Sequence, residues 1–194
     1  GPLLIRGFVG SIQGAGMAET IVRNPDWPVH VMYDTGCFPI TECRVNQPTV
    51  EEPYPALFYF ISGDFSVSDL LVRVVGREPT TGWTVAGLPT IKSFHGAFWI
   101  VGELKNGQRQ ASARFRRVAI EGGPGEDPLY GMNVWIGIAS LGWLGNVEPL
   151  KVNLNVAESR FSHLSSAVDL QNVIESQATL TRNCGTYSWS QSDF

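Results

Sequence analysis

The chain has 194 residues, of which 43% are hydrophobic and 16% are charged, and its formal net charge is -4. This length suits one large all-β domain, and the charge excludes a globally basic nucleic-acid binder. No stretch approaches the ~20 apolar residues of a membrane-spanning helix, so we expect no membrane partner. The charged fraction lies below the roughly 25% of ordinary soluble domains, which indicates a surface partly covered by neighbours.

The terminus and the cysteines bear on the origin of the chain. Gly1 and Pro2 open it, and a first residue other than Met predicts cleavage from something longer, either a natural precursor or a tagged protein. Cys37, Cys43 and Cys184 cannot all pair within one chain, and none has the CxxC spacing that holds zinc. We therefore expect free thiols in a reducing, intracellular compartment.

Short β-type runs separated by turns follow one another along the chain. Gly or Pro interrupts each helical pattern before three turns accumulate, so few and only short helices are expected. No internal repeat is recognisable. In chain order the predicted strands lie in LLIRGFVGSIQ, AETIVR, ALFYFISGDFSVSDLLVRVV, GWTVAGLPTI, GAFWIVGEL, RQASARFRRVAI, YGMNVWIGIASLGW and PLKVNLNVAESRF.

Eight strands with irregular, often long connections predict an eight-stranded antiparallel jelly-roll β-sandwich. We expect one domain over residues 1–164, followed by a polar tail over residues 165–194 that is extended or partly disordered. Within the third run, Ser62-Gly63-Asp64 is expected to form a bend, and Val72 and Val74 are expected to fill the core.

The dipeptide Asn106-Gly107 gives the strongest local prediction in the sequence. It separates two β-like runs, and a type I′ hairpin turn needs positive φ at both of its central residues. We therefore predict a β-hairpin at this position.

Catalytic and metal-binding patterns are not found. There is no Gly-x-Ser-x-Gly elbow, and His30, His95 and His163 lie far apart in different segments. No His or Cys spacing brings several metal ligands together locally. We predict a protein that is not an enzyme and uses no cofactor or metal.

The main concentration of positive charge lies in RQASARFRRVAI, which contains Arg109, Arg114, Arg116 and Arg117. Strand alternation predicts Arg114 and Arg116 on one face, and Phe115 with Arg117 on the other. Exposed arginines pair with carboxylates of a neighbouring protein or with phosphates. A solvated strand face, a protein interface and an RNA contact all remain open for these residues.

Six tryptophans are more than one sandwich core readily absorbs. Trp143 lies in ASLGWLGN, a predicted loop, and exposed aromatic residues commonly anchor protein interfaces. The competing interpretation is a carbohydrate- or protein-binding β-sandwich module from a larger protein, in which Trp83 or Trp143 stacks on a sugar.

Two segments resemble strands of the coat proteins of picorna-like viruses. The first is YFISGDFSVSDLLVRVVG, and the second is PLKVNLNVAESRFSHL. The chain length, the opening Gly-Pro and the Ser/Thr-rich end are similar to the small coat protein of the comovirus group, especially its fabavirus branch.

The resemblance implies a structural capsid protein. Such a subunit assembles with a large two-domain coat protein, and with copies of itself around five-fold axes, into a pseudo-T=3 icosahedral shell enclosing single-stranded RNA. It implies location in the virion and in the host-cell cytoplasm during assembly, and Gly1 as the terminus left by polyprotein cleavage. Contact with the RNA by this subunit is expected to be weak, because no dense basic N-terminal arm is present.

Overall fold

The computed structural model of the chain describes residues 3–23, 56–74, 84–85, 88–89, 95–122, 135–140, 150–164, 166–170, 173–182, 184–185 and 189–191. All regular elements in these ranges are β-strands, and they form two large sheets and one small one. The two large sheets share one hydrophobic core. We call them sheet A and sheet B.

Sheet A has six strands, in the spatial order β1-β4-β8-β11-β14-β17. Their bounds are β1 Leu3–Arg6, β4 Ala56–Ile61, β8 His95–Ile100, β11 Trp135–Ser140, β14 Ser166–Leu170 and β17 Trp189–Gln191. Every pairing within this sheet is parallel.

Sheet B has nine strands around the path β15-β12-β10-β13-β16, with β5 and β9 also paired to β10, and β2 and β3 paired to β5. Their bounds are β2 Val9–Gln13, β3 Ile21–Arg23, β5 Asp64–Val74, β9 Glu103–Lys105, β10 Gln108–Gly122, β12 Leu150–Ala157, β13 Arg160–Ser162, β15 Val173–Thr181 and β16 Cys184–Gly185. All of its pairings are parallel except that of β9 with β10. The small antiparallel sheet joins β6 Thr84–Val85 to β7 Leu88–Pro89.

The chain winds as a coil, since its described strands pass alternately through sheet A and sheet B. One turn comprises β1, β2 and β3; the next comprises β4 and β5; later turns repeat the order, and β17 returns to sheet A. Equivalent strands of successive turns run in the same direction, which is why they pair in parallel. The predicted antiparallel jelly-roll sandwich of eight strands is therefore wrong, and the described residues contain no helix.

The third predicted strand corresponds to two strands in the structure. ALFYFISGDFSVSDLLVRVV was interpreted as a single run, but it forms β4 in sheet A and β5 in sheet B. Ser62 and Gly63 lie between the two strands, so they carry the chain from one sheet to the other. The predicted bend is confirmed at these two residues, while Asp64 is already the first residue of β5.

The core lies between the two sheets. From sheet A, Phe58 and Phe98 occupy adjacent positions on paired strands, and their rings stack with centroids 4.9 Å apart. Phe115 of sheet B meets Phe98 edge to face at 5.0 Å. Val72 and Val74 are fully buried, as predicted. Aromatic pairs in these geometries add about 0.5–1.5 kcal/mol each to the stabilisation from burial.

The hairpin at Asn106-Gly107 is confirmed. Lys105 pairs with Gln108 in an antiparallel register, and φ is 52° at Asn106 and 76° at Gly107. Residues beyond 165 contribute β14 to β17, and Val168 and Leu170 of β14 are buried in the core.

Candidate interaction surface

The outer face of sheet B carries three of the predicted site residues, Arg114, Arg116 and Arg117. Alternation along β12 is regular: Val152, Leu154 and Val156 are buried, whereas Asn153 and Asn155 are exposed. A strand with one face on the core and the other in water has this pattern. The exposed face therefore presents side chains in rows that run across the turns.

The four turns after the first each have a left-handed non-glycine residue at an equivalent position. Asp69, Arg117, Glu158 and Arg182 have φ of 59°, 50°, 54° and 53°, in the left-handed region that non-glycine residues seldom adopt. The registers on either side place these four residues next to one another on neighbouring turns. Each corner residue lies directly opposite the corner residue of the next turn, so the registers continue without an insertion, and the four left-handed residues together form a corner of the coil. We call these four residues the corner row.

The left-handed backbone at Arg117 alters the orientation of its side chain. Phe115 is buried and Arg116 is exposed, as alternation predicts, but Val118 is buried where an unbroken strand would expose it. Arg117 is half exposed and reaches the same carboxylate as Arg116. The prediction that Arg117 shares the face of Phe115 is therefore wrong, because the left-handed backbone at Arg117 turns its side chain toward the outer face.

Charges of opposite sign alternate along the corner row. Arg117 donates hydrogen bonds from Nε to Asp69 Oδ1 and from Nη2 to Asp69 Oδ2, the second at 2.9 Å. Its Nη1 lies 3.7 Å from Glu158 Oε2 on the opposite side. The paired charges offset the conformational cost of a left-handed backbone at these residues.

The proton affinities of the first two corner residues follow from this pairing. The hydrogen bonds from Arg117 and then from Ser68 hold the pKa of Asp69 below its ordinary value. The bond to Asp69 raises the pKa of Arg117 in turn. Both groups are therefore charged throughout the physiological pH range, and the pair acts as a fixed electrostatic element.

Two further ion-pair groups flank the corner row. On one side, Arg114 Nη1 lies 2.8 Å from Asp64 Oδ1. On the other, Glu121 accepts from Arg73 at 3.0 Å and also from Arg160. These pairs join residues on different turns, so they tie neighbouring turns together across the outer face.

Arg109 is placed differently from the other predicted arginines. Its residue is buried, and Nη1 donates to the carbonyl oxygen of Gly102 at 3.2 Å. It therefore supports the passage from β8 to β10 and is not on the outer face. The structure brings Arg114, Arg116 and Arg117 together on that face.

Three other predicted residues, Trp143, Trp83 and Gly1, lie outside the described residues, as does His30. His163 is exposed with φ of 55°, between β13 and β14. Among the described residues no group of three or more His, Cys, Asp or Glu is placed to hold a metal ion. The described ranges also contain no helix long and apolar enough to cross a membrane.

Sequence reasoning missed the acidic partners Asp64, Asp69, Glu121 and Glu158. A signal for the corner row is present in the sequence. Three six-residue segments align at the corner residues Asp69, Arg117 and Glu158: VSDLLV, FRRVAI and VAESRF. Each begins with a buried apolar residue, which is followed by an outward residue, then the corner residue, then a buried residue. The expectation of no internal repeat is therefore wrong at the level of these six-residue segments.

A second surface feature lies at the first turn of the coil, β1 to β3. Five of the six large hydrophobic residues that are exposed in the described ranges belong to it: Leu3, Leu4, Val9, Met17 and Ile21. The sixth is Leu104 in β9. Within the described residues, β1 is the terminal strand of sheet A, and β2 and β3 pair only with β5.

Comparison of the chain with protein-family models, with curated proteins and with solved structures finds no match.

Proposed function

We propose that this chain is a non-enzymatic structural subunit that acts by assembling with other protein chains, as the small coat subunit of a picorna-like plant virus does. The observation that carries the proposal is the first turn, where Val9 is 73% exposed, Leu3 is 55% exposed and Ile21 is 50% exposed. Exposed apolar side chains on strands that have a described neighbour on one side alone are typical of surfaces that another chain covers.

Two properties of the sequence support the same proposal. The charged fraction of 16% is low for a protein whose surface is all in water. The segments that resemble coat-protein strands, residues 59–76 and 149–164, include β5 and β12 of sheet B. The jelly roll that the resemblance implies is not among the supports, since the strands are parallel.

The proposed partners are a large coat protein and further copies of this chain, with single-stranded RNA enclosed by the shell. The corresponding locations are the virion and, during assembly, the host-cell cytoplasm. Arg114 and Arg116 are each engaged by a carboxylate of the same chain, so their charge is partly compensated before any RNA approaches. This agrees with the expectation that RNA contact by this subunit is weak.

Co-expression with a large coat protein of the comovirus group tests the proposal. Electron microscopy and sedimentation are expected to show closed particles that contain both chains. Dispersed monomers under conditions that assemble related particles would overturn the assignment.

The outer face of sheet B favours a second candidate, an acidic-carbohydrate-binding module. Arg114 lies between Ser66 and Asn155 on neighbouring strands, so a guanidinium, a hydroxyl and an amide form one polar row. Such groups bind the carboxylates and hydroxyls of acidic sugars. A glycan array with the Arg114→Ala variant separates the candidates, because saturable binding lost in the variant supports the module and its absence argues against it.

A further inference from the structure

Within the part of the chain that the structure describes, the first turn leaves one end of the hydrophobic core open. Ile5, Phe8, Ile12 and Val22 pack against the core but are only half-buried. The equivalent positions one turn further along are closed: Phe60, Val67 and Val72, the register partners of Ile5, Ile12 and Val22, are at most 1% exposed. The difference arises because, among the described strands, those of the first turn have a neighbouring turn on one side alone.

The edge of the first turn lacks the features that usually prevent strand association. Residues 3–23 contain neither Pro nor Lys, the residues that commonly protect an exposed sheet edge. Repeat coils normally end in a capping turn whose outer side is polar. Here the outward side chains include Leu4, Val9 and Ile21.

The charges of the first turn are self-complementary. Arg6 and Arg23 end β1 and β3, and Glu19 lies on the loop between β2 and β3. None of the three has a described ion pair, whereas five arginines of later turns are paired with carboxylates: Arg73, Arg114, Arg116, Arg117 and Arg160. A two-fold contact presents the same patch on both sides, so each copy supplies the acid for a base of the other.

On these grounds we infer that two copies of this chain pair through their first turns, end to end about a two-fold axis. The inference rests on the proposed function and names one of its contacts. β1 pairs antiparallel with β1 of the second copy, and β2 with β2, so that both sheets continue across the axis. The two open core ends cover each other. Stable interfaces use about 20–30 residues a side, and the first turn, residues 3–23, is of that size.

Sedimentation of the full chain alone tests this pairing directly. The double variant Leu3→Lys/Ile21→Lys places two charges in the contact and is expected to lower the association constant by roughly tenfold or more, the effect of losing a buried anchor. Both residues are at least half exposed, so the unfolding transition should not change. The matched control is Leu104→Lys, since Leu104 is 48% exposed but lies outside the first turn.

A charge reversal tests the ionic part of the contact. Glu19→Arg leaves only positive charge at these three positions of the first turn, so it is expected to weaken the dimer and to make it more stable at high salt than at low salt. Hydrogen exchange should show protection of the amides in residues 3–23 that rises with protein concentration.

The outcomes separate this inference from the proposed function. A monomer at all concentrations that still assembles with the large coat protein overturns the pairing and leaves the structural role intact. An equal effect of the Leu3/Ile21 and Leu104 variants also overturns the pairing. A two-fold dimer that never enters larger particles supports the pairing and removes the coat role. Covering of the open end by another part of the same chain would give a monomer that the variants do not alter.

Discussion

Sheet A and sheet B are both built mainly by parallel pairing but have different surroundings. β4 of sheet A has five consecutive buried residues, and residues on both of its faces are packed into hydrophobic clusters. β12 of sheet B alternates strictly between buried and exposed residues. Parallel sheets are usually covered on both sides and read as continuous apolar runs. The comparison teaches that in this coil sheet A provides most of the two-sided burial, while sheet B provides the surface for charges.

The largest expected difference between the sheets comes from truncating a core ring of sheet A. Phe98 is fully buried, and it stacks on Phe58 and meets Phe115 edge to face. Phe98→Ala is expected to lower the free energy of unfolding by about 3–5 kcal/mol, measured by urea denaturation. Ser112→Ala, on the outward face of β10, is the control and should change it by less than about 0.5 kcal/mol. Equal effects would contradict the assignment of the core.

A smaller effect is expected from filling a close approach in sheet A. A Cβ on Gly137 would lie 2.5 Å from the carbonyl oxygen of Ala167 and 3.0 Å from a ring carbon of Phe161. Gly137→Ala should therefore force strands β11 and β14 apart and cost about 1–3 kcal/mol of stability. Gly107→Ala is not a suitable control, because φ at Gly107 is positive. The thermal unfolding of Gly137→Ala is therefore compared with that of Ala139→Gly, which removes a Cβ from the same strand and introduces no clash. A stable Gly137→Ala protein would show that the two strands do not approach so closely.

The corner row of sheet B separates backbone strain from charge. At Arg117, whose φ is 50°, Gly adopts the observed conformation readily and Ala does not. Both Arg117→Gly and Arg117→Ala lose the ion pair with Asp69, but the Gly variant should favour the folded state by a factor of roughly 5–30 over the Ala variant. Chemical denaturation of the two proteins measures this ratio. An Ala variant that is the more stable of the two argues against a left-handed residue at this corner.

The pH dependence of stability tests the charge within the corner row. The pKa of Asp69 is lowered from its ordinary value of 3.8, chiefly by the hydrogen bond from Arg117. A lowered pKa contributes stability above the unfolded-state value, and this contribution is lost as the pH falls through the folded-state pKa. Asp69→Asn should therefore flatten part of the decline in unfolding free energy below about pH 4. Identical pH profiles for the two proteins would falsify the coupling.

The smallest effect is expected for an isolated exposed pair. Arg114 and Asp64 lie 2.8 Å apart, but both side chains are more than half exposed. Arg114→Ala should lower stability by at most about 0.5 kcal/mol, and high salt should reduce the difference further. A loss as large as that of Phe98→Ala would mean that the outer face of sheet B is covered in solution and not exposed.

Local features could be predicted because short-range chemistry decides them. The turn at Asn106-Gly107 is fixed by the need for positive φ, and the burial of Val72 and Val74 by an apolar run. The exposure of Arg114 and Arg116 follows from strand alternation around buried Phe115. Strand direction could not be predicted in the same way, because a β-strand has the same alternation whichever way its neighbour runs.

The corner row was within reach of the sequence but was not recognised. A strand prediction that assumes unbroken alternation assigns Arg117 to the inner face. Two adjacent polar residues, Arg116 and Arg117, between apolar Phe115 and Val118 instead indicate that the alternation changes phase there. Arg109 was misplaced for another reason. It is in phase with buried Ala111, Ala113 and Phe115, so alternation along β10 places it on the inner face, and its charge alone had grouped it with the exposed arginines.

The sequence by itself determined that this protein is built from β-strands, that a hairpin turn lies at Asn106-Gly107, and that Arg114 and Arg116 face water. Propensity, turn chemistry and alternation act over a few residues, so they are written in local sequence. Only the tertiary structure decided that the strands run parallel in a coil, that Asp69, Arg117 and Glu158 meet, and that the first turn leaves the core open. Those features depend on contacts between residues some 40 to 50 positions apart, because each turn of the coil pairs with the next.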